Sequence, residues 1–562
     1  MLKQLLSHIF VYTLLLVSLQ LDAQEQVPLS KRADEHFRRS EYAKAAGLYE
    51  KILRTRRGRK QAPFIIDRLA TSYRLYNQYE KAAYWYAQAL KDSTGASDKR
   101  LYYGDMLKSL GRYAEAKQQY QLYPDQRRVA ARIAGCDSAA FWQSQPAYAL
   151  LENVKGVNSR ANDWGATWYN KQIVFVSDSL RHDIWYVKGS RRRYGRNNEA
   201  YGKLYAAEST ASGIGYVKDF SAYINDYPYH VGPVVFSSQE DTAYVTVTNP
   251  ARKVPYNKRD IPVYGTRHLE LLMFVKRNNK WQTPVAFPYN SNDYSTGHAA
   301  LNPGGNILYF SSDRPGGSGA TDIWYSEKQT DNTWGTPQNC GSINTVDEEE
   351  FPTVGPDGTL YFSSKGWPGM GGFDIFAANG SRNSWSAPVN LRLPFNAAGD
   401  DFYYVVNGEG KGFIASNRTG GKGEDDIYSF AAPQTVPGLT PLPVPLLRIP
   451  FTGEICVPVS ACVYLYNKTR GMGWCYIVEP PSGRIEAKLE ADAEYVIRVH
   501  YNNRTDSYEF NTRNITGTDA LNKSFCPSDT KKMEPPASPH KEKHPSPHKK
   551  SKKRVVHHKK KK

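Results

Sequence analysis

Four polar residues, His230, His298, Glu350 and Asp401, stand at the starts of short apolar segments with β character. If those segments line one channel in a common register, the four form a ring at its mouth that could hold a cation or a basic peptide. The competing reading is that they satisfy backbone groups of nearby loops and tie neighbouring segments together. Other reactive groups are sparse. The chain has 12 His, and five of them fall between His540 and His558. Its six Cys contain no Cys-x-x-Cys pair, so neither a zinc site nor a redox motif is indicated. There is no His-Glu-x-x-His, no Gly-x-Ser-x-Gly, no phosphate loop and no dinucleotide fingerprint. Gly-rich stretches such as Pro368-Gly369-Met370-Gly371-Gly372 lie between two strand patterns rather than before a helix, so turns explain them and phosphate binding does not. These observations predict no catalytic residues, no cofactor and no metal.

The segments that would position the four residues repeat. Asn302-Pro303-Gly304-Gly305-Asn306-Ile307-Leu308-Tyr309-Phe310-Ser311-Ser312, followed by Asp322-Ile323-Trp324-Tyr325, returns as Gly355-Pro356-Asp357-Gly358-Thr359-Leu360-Tyr361-Phe362-Ser363-Ser364, followed by Asp374-Ile375-Phe376. Pro303 and Pro356 lie 53 residues apart. Weaker copies begin at Ile173, Val234 and Lys411, and Asp426-Ile427-Tyr428 ends the last one. Pro-Gly-Gly and Pro-Asp-Gly supply tight turns, the Tyr-Phe-Ser-Ser strand is expected to be half buried, and each copy is expected to end in a tryptophan strand at Trp334 or Trp385. Four strands per unit, repeated radially, make a β-propeller. Inner strands are expected to start near Asp163, His230, His298, Glu350 and Asp401. That gives five blades, with six as the alternative, and residues 148–154 close the last. The repeat resembles the WD40-like repeat of TolB-type periplasmic propellers, and the resemblance covers about 160–430.

A second repeat precedes it. Tyr79, Ala82 and Tyr86 recur 34 residues later as Tyr113, Ala116 and Tyr120, and Tyr42, Ala45 and Tyr49 form an earlier copy at an offset of 37. The Arg-rich stretch Arg54 to Lys60 absorbs the extra three residues, and Asn77 and Gly111 mark turns between paired helices. Small Ala at a helix crossing and large aromatics between pairs resemble the tetratricopeptide (TPR) repeat. The aromatics are expected to be core.

The predicted organisation is multidomain: a signal peptide at 1–23, TPR-like helices at 30–142, a TolB-type propeller at 147–430, a Pro-rich linker at 431–447, a small β-sandwich at 448–527 and a disordered Lys/His-rich tail at 528–562. The sandwich resembles carboxypeptidase-regulatory-like modules, and its four Cys permit disulfides in an exported protein. Formal net charge is +18, but the tail alone holds 13 Lys and Arg against three Asp and Glu. The folded body is therefore only mildly basic, and nucleic-acid binding is not indicated. The tail could attract anionic wall or lipopolysaccharide polymers, or hold metal loosely through its His, although a solvated tail is the plainer reading. The order of domains resembles the PorE-like family of Bacteroidetes envelope proteins, which serve type IX secretion and also carry a lipobox Cys and an OmpA-like domain that this chain does not show. The resemblance implies a periplasmic, outer-membrane-associated scaffold that binds envelope or secretion-system proteins. The alternative is a propeller that acts on glycans or peptides, or senses a small ligand.

Overall fold

The computed structural model describes residues 27–91, 96–144, 149–179, 181, 193–210, 213–249, 266–431, 448–457, 461–468, 472–478, 482–490, 493–501, 504–513 and 521–525. The expected leader, the linker beyond Ala431, Cys526 and the tail lie outside the described residues. Among the described residues no helix is long and apolar enough to cross a membrane.

Among the described residues eight helices come first: α1 (Leu29–Arg38), α2 (Tyr42–Leu53), α3 (Arg56–Lys60), α4 (Ala62–Leu75), α5 (Tyr79–Ala89), α6 (Ala96–Ser109), α7 (Tyr113–Gln121) and α8 (Gln126–Ser144). They pack as antiparallel pairs. Ala45, Ala82 and Ala116 are fully buried at the crossings, beside the buried rings of Tyr49, Tyr86 and Tyr120. A buried phenol needs a partner for its hydroxyl. Tyr49 donates to Asp34 (2.6 Å) and Tyr120 to Asp105 (2.9 Å), each reaching back 15 residues to the preceding helix. Gly104 leaves room for the Tyr120 ring, because a Cβ there would stand 2.5 Å from Cε1. Asn77 and Gly111 turn the chain at φ of 61° and 72°. The Arg-rich insertion forms α3, whose start is capped by Thr55 Oγ1 accepting from the Gly58 N–H (2.9 Å).

A strand-rich region of five antiparallel sheets follows, four of them four-stranded and one, built on Val231–Phe236, with an added fifth strand. Their inner strands are Asp163–Tyr169, Val231–Phe236, Thr296–Leu301, Glu349–Val354 and Asp401–Val406, and they define sheets I to V. Each sheet packs on the next, and the inner strand of sheet I also packs on sheet V. This succession resembles a propeller. Leu150–Asn153 pairs with Asp426–Ala431, so a strand from before sheet I completes sheet V, as the sequence suggested. Two expectations need correcting. The Tyr-Phe-Ser-Ser strand is not half buried: all six residues of Ile307–Ser312 are buried, because neighbouring sheets cover both faces. Nor does Trp334 or Trp385 form the outer strand. Gln338–Asn339 and Val389–Asn390 do; ahead of them Trp385 pairs with Gly380 in a separate two-residue strand, and Trp334 makes a single bridge to Lys328.

The Asp of each Asp-Ile-aromatic strand is structural. Asp322 accepts from the backbone N–H of Ser318 and Gly319, and Asp374 from those of Met370 and Gly371. The glycines let the loop come that close, since a Cβ at Gly369 would lie 2.2 Å from Asp374 Oδ2. A second fivefold feature is an asparagine. The side chains of Asn158, Asn225, Asn290, Asn344 and Asn396 each accept from the N–H and donate to the C=O of one residue: Ile427, Leu204, Leu271, Ile323 and Ile375 respectively. These ten bonds span 2.7–3.0 Å. Each amide pins the chain entering one sheet to the third strand of the sheet before.

The last segment forms two sheets, one of three strands and one of four, around a core containing Phe451, Leu465, Leu489, Tyr495 and Ile497. Cys456 is disulfide-bonded, whereas Cys136 and Cys340 are free and buried. Phe141 of α8 meets Tyr464 edge-on at 5.4 Å, which joins the helices to this segment.

The asparagine clamp is testable. Asn396→Ala strands both backbone groups of Ile375 in a buried site and is expected to cost about 2–4 kcal/mol. Chemical denaturation should show it, with a smaller loss for an exposed control such as Asn383→Ala.

Candidate binding site

Where the five sheets meet, each inner strand carries a bulge. Pairing with the second strand breaks between Trp164 and Thr167, Val231 and Val234, Gly297 and Ala300, Glu350 and Thr353, and Phe402 and Val405. One residue in each bulge has positive φ: Gly165 (66°), Gly232 (107°), His298 (52°), Phe351 (56°) and Tyr403 (55°). Such a bulge re-aims the side chains beside it. The result is an aromatic plug on the axis. His298 stacks on Phe351 at 4.4 Å, Phe351 meets Phe402 at 4.8 Å, and Trp164 lies 5.9 Å from both phenylalanines.

The helices cover this end of the axis. Tyr79 at the start of α5 donates to Asp400 and accepts from Asn417 Nδ2 (3.2 Å). Gln78 donates to Glu424 (2.9 Å). Arg132 of α8 pairs with Asp347 (2.9 Å) while also holding Asp105 of its own layer (3.0 Å). Gly135 lets α8 approach, because a Cβ there would meet the Gly369 carbonyl oxygen at 2.3 Å. Between the helical turns and the plug lies a cavity of about 670 Å³. Trp164, Phe351, Phe373 and Phe402 line it from the strand-rich side, and Leu75, Tyr76 and Leu110 from the helices. Asn77, Glu80, Thr419 and Glu424 are exposed at its rim.

Its charged lining is mostly acidic: five carboxylates, Glu80, Asp178, Asp400, Glu424 and Asp425, against the guanidinium groups of Arg196 and Arg418. Arg418 is already committed to Asp401 (2.5 Å) and to the carbonyls of Pro394 and Phe395 (2.7 and 2.8 Å). Burial pushes Asp178 up to about 6, against the opposing pull of its bonds from Asn162. Burial raises Glu424 as well, and the nearby Glu199 adds to it. Burial raises Asp425 well above the carboxylate range, reinforced by Asp400, Glu424, Asp178 and Asp426. Among the described residues, no group of three or more His, Cys, Asp or Glu could hold a metal ion.

The four residues expected to form a ring do not do so. Only His230 lines the cavity. Its Nδ1 accepts from the Gly202 N–H (3.1 Å), its ring lies edge-on to Tyr194 and Tyr201, and burial lowers it to about 4, so it is neutral. His298 and Glu350 face each other, with Nδ1 and Oε2 3.6 Å apart. Burial drives both toward neutrality, His298 to about 4 and Glu350 to about 7. Asp401 is fully buried within sheet V, tied to Arg418 and to the Ala397 N–H (2.6 Å). The four do not share one register, and even His230 and Asp401, which do, end in different surroundings. Counted from the positive-φ residue, His230 and Asp401 stand two before it, Glu350 one before and His298 at it. One step along a strand reverses a side chain's direction.

The residues that do line the cavity left a trace in the sequence: doubled acids. In Asp400-Asp401 and Asp425-Asp426 the second acid serves its own sheet, as Asp426 does by accepting from the Lys422 and Gly423 N–H groups. The first acid of each pair lines the cavity: Asp400 also accepts from the Phe373 N–H (2.8 Å), whereas the Asp425 carboxylate has no such bond among the described residues. Tyr79 packs against the helical core, as expected, and its hydroxyl also bonds across the junction.

Two outcomes are expected. Arg132→Ala leaves the buried Asp347 without its cation, at a cost of about 3–5 kcal/mol, and should raise amide exchange in α8 and residues 345–348. Asp425→Asn should act in the opposite direction. An acid whose folded pKa is raised supports folding below its unfolded pKa, and that support is lost as pH rises. The variant should therefore melt higher than the native chain at about pH 7.5, and the gap should close toward about pH 4.

No family model matches the chain, and no curated protein matches it. Similar solved structures include the putative TolB from Agrobacterium tumefaciens, at 12% identity over 60% of this chain and 96% of that one, with a TM-score of 0.26. Xyloglucan PUL GH43B from Bacteroides ovatus is 10% identical over 65% of this chain and 92% of that one, with a TM-score of 0.31. A puromycin-hydrolyzing peptidase of Mycobacterium tuberculosis is 12% identical over 46% of this chain, with a TM-score of 0.26, and the match spans only 33% of the peptidase's length.

Proposed function

We propose that this protein is a periplasmic binding scaffold in which TPR-type helices and a five-bladed, TolB-type propeller act as one unit and take a partner at the cleft between them. The observation that carries this reading is the cavity itself. It is the meeting point of the two repeat regions, it is open at its rim, and its walls come from both. A ligand there would contact the helices and the plug at once. The partner is an envelope or secretion-system protein, with type IX secretion the leading context. The basic tail adds a salt-sensitive attraction to anionic wall or lipopolysaccharide polymers.

Lining chemistry favours binding over turnover. The His in the lining is neutral and engaged by a backbone N–H. A second reading, a propeller acting on glycans or peptides, draws on the same carboxylates, because paired acids with separated pKa values serve glycoside hydrolysis.

Photo-crosslinkers placed at Asn77 and Thr419, on opposite rims of the cleft, test the scaffold. Both positions should capture the same envelope protein in intact cells, and a remote exposed position such as Tyr216 should not. Capture only at the remote position would overturn the reading. Hydrolysis of a glycan or peptide library by the native chain, lost in Asp425→Asn, would establish the second reading in its place.

A further inference from the structure

Two acids of the cleft have no partner among the described residues: Glu80, which is exposed at the rim, and Asp425, which lies further in. The backbone of Asp425 is used: the N–H donates to Asn162 Oδ1 (3.2 Å), and the C=O accepts from the Asp163 N–H (2.8 Å). Its carboxylate takes part in no hydrogen bond or ion pair among the described residues, although protein surrounds it and it reaches the cavity. The charges acting most strongly on it, Asp400, Glu424, Asp178 and Asp426, are all acidic.

The fold does not require an acid here. The same position in sheets I to IV, immediately before the third strand, is held by Gly202, His268, Thr321 and Phe373. Gly202, Thr321 and Phe373 accept from the next inner strand through the same backbone oxygen, at 2.8–2.9 Å. The neighbouring acids differ from Asp425 in having donors: Asn162 for Asp178, Gln78 for Glu424, and Tyr79, Asn417 and the Phe373 N–H for Asp400. Nor is the excess of acid a property of the whole chain, whose formal charge is +18. Arg196, the other guanidinium in the lining, lies between this cavity and an adjoining one, where its charge acts on Glu348 and Glu350.

From the unpartnered carboxylate, the acids around it and the aromatic floor, we infer that the cleft is a receptor for an organic cation, the ammonium or guanidinium group of a lysine or arginine side chain presented by a polypeptide. An ion pair with Asp425 would remove the repulsion among the acids. The aromatic floor of Trp164, Phe351 and Phe402 offers π-electron density to a desolvated cation. A cavity of about 670 Å³ admits such a side chain with its flanking backbone. The absence among the described residues of a three-ligand cluster disfavours a metal ion. This assignment rests on the cleft being the binding site, but not on the partner being an envelope protein.

Calorimetric titration of the full chain with a tetralysine peptide, at about 0.15 M salt, tests it. Saturable binding to one site is expected, weakened about tenfold or more by Nε-acetylation of the peptide and likewise by Asp425→Asn. Asp331→Asn, an exposed loop carboxylate in sheet III, should leave binding unchanged. A peptide copying residues 538–562 should bind with the same dependence on Asp425 if the chain's own tail is a source of the cation. Lack of that dependence assigns the cleft to other polypeptides, provided tetralysine retains it. Equal affinity for native and Asp425→Asn protein, equal affinity for acetylated peptide, or displacement of the peptide by millimolar calcium would each overturn the assignment. So would loss of binding accompanied by a lower melting temperature in Asp425→Asn, which would mark a structural role. Rim crosslinking without tetralysine binding would leave the scaffold standing and remove the cation. Tetralysine binding without rim crosslinking would do the reverse.

Discussion

A single amide, used five times, fixes the strand-rich half of this protein. Asn158, Asn225, Asn290, Asn344 and Asn396 each close a two-bond ring on the backbone of a third strand. The side chain imitates one more residue of a β-ladder at a place where the chain has left the sheet. Because the next inner strand starts five or six residues later, the clamp sets where that strand begins. It therefore sets where its bulge falls, and which side chains reach the axis. The aromatic plug, the covered cavity and the acids around it all inherit their positions from this contact. Burial raises the stakes, since a lost amide leaves a donor and an acceptor unpaired with no water to replace it.

The fold was largely legible and the site was not, for one physical reason. Turn residues, alternating apolar runs and the repeated Asp-Ile-aromatic strand report averages over many residues, so an error of one position does little harm. That is why the starts near Asp163, His298, Glu350 and Asp401, and the closing strand before sheet I, could be read. A site depends on single positions. Each inner strand has a bulge, bulges change register, and the positive φ at His298, Phe351 and Tyr403 falls on residues whose types give no warning of it. Four polar residues at similar distances from strand starts therefore ended in three different directions. Two signals were present and unused: an apolar-Asn pair before each inner strand, as in Ile343-Asn344 and Phe395-Asn396, and an acid doubled beside one with a structural duty.

The helical layer changes what the propeller-like region can do. An uncovered ring of sheets would offer its axis to solvent. Here the axis is filled by Trp164, Phe351 and Phe402, and the space above it is roofed by the turns that begin α5 and end α6. Tyr79 shows how the two regions are joined. Its ring packs with the helical core, while its hydroxyl bonds to Asp400 and Asn417 across the junction. One residue thus answers to both the helical repeat and the cleft. A movement of α5 would be felt at Asp400, and a ligand at Asp400 would be felt in α5.

The balance of donors and charges in the cleft separates a structural arrangement from an unfinished one. Asp178, Asp400 and Glu424 are held by neutral donors from Asn, Gln and Tyr side chains. Such donors satisfy lone pairs, but they leave the net charge uncompensated, so the acids still repel one another through a medium less polar than water. Elsewhere the same chain solves this problem with cations: Arg418 on Asp401, Arg181 on Asp163, Arg132 on Asp347. The fold therefore pairs buried acids with cations elsewhere, and among the described residues none pairs with Asp425. A position that four other sheets fill without an acid has here been given one, at a cost in stability. The group that would repay this cost must come from outside the described chain, and it must be positive.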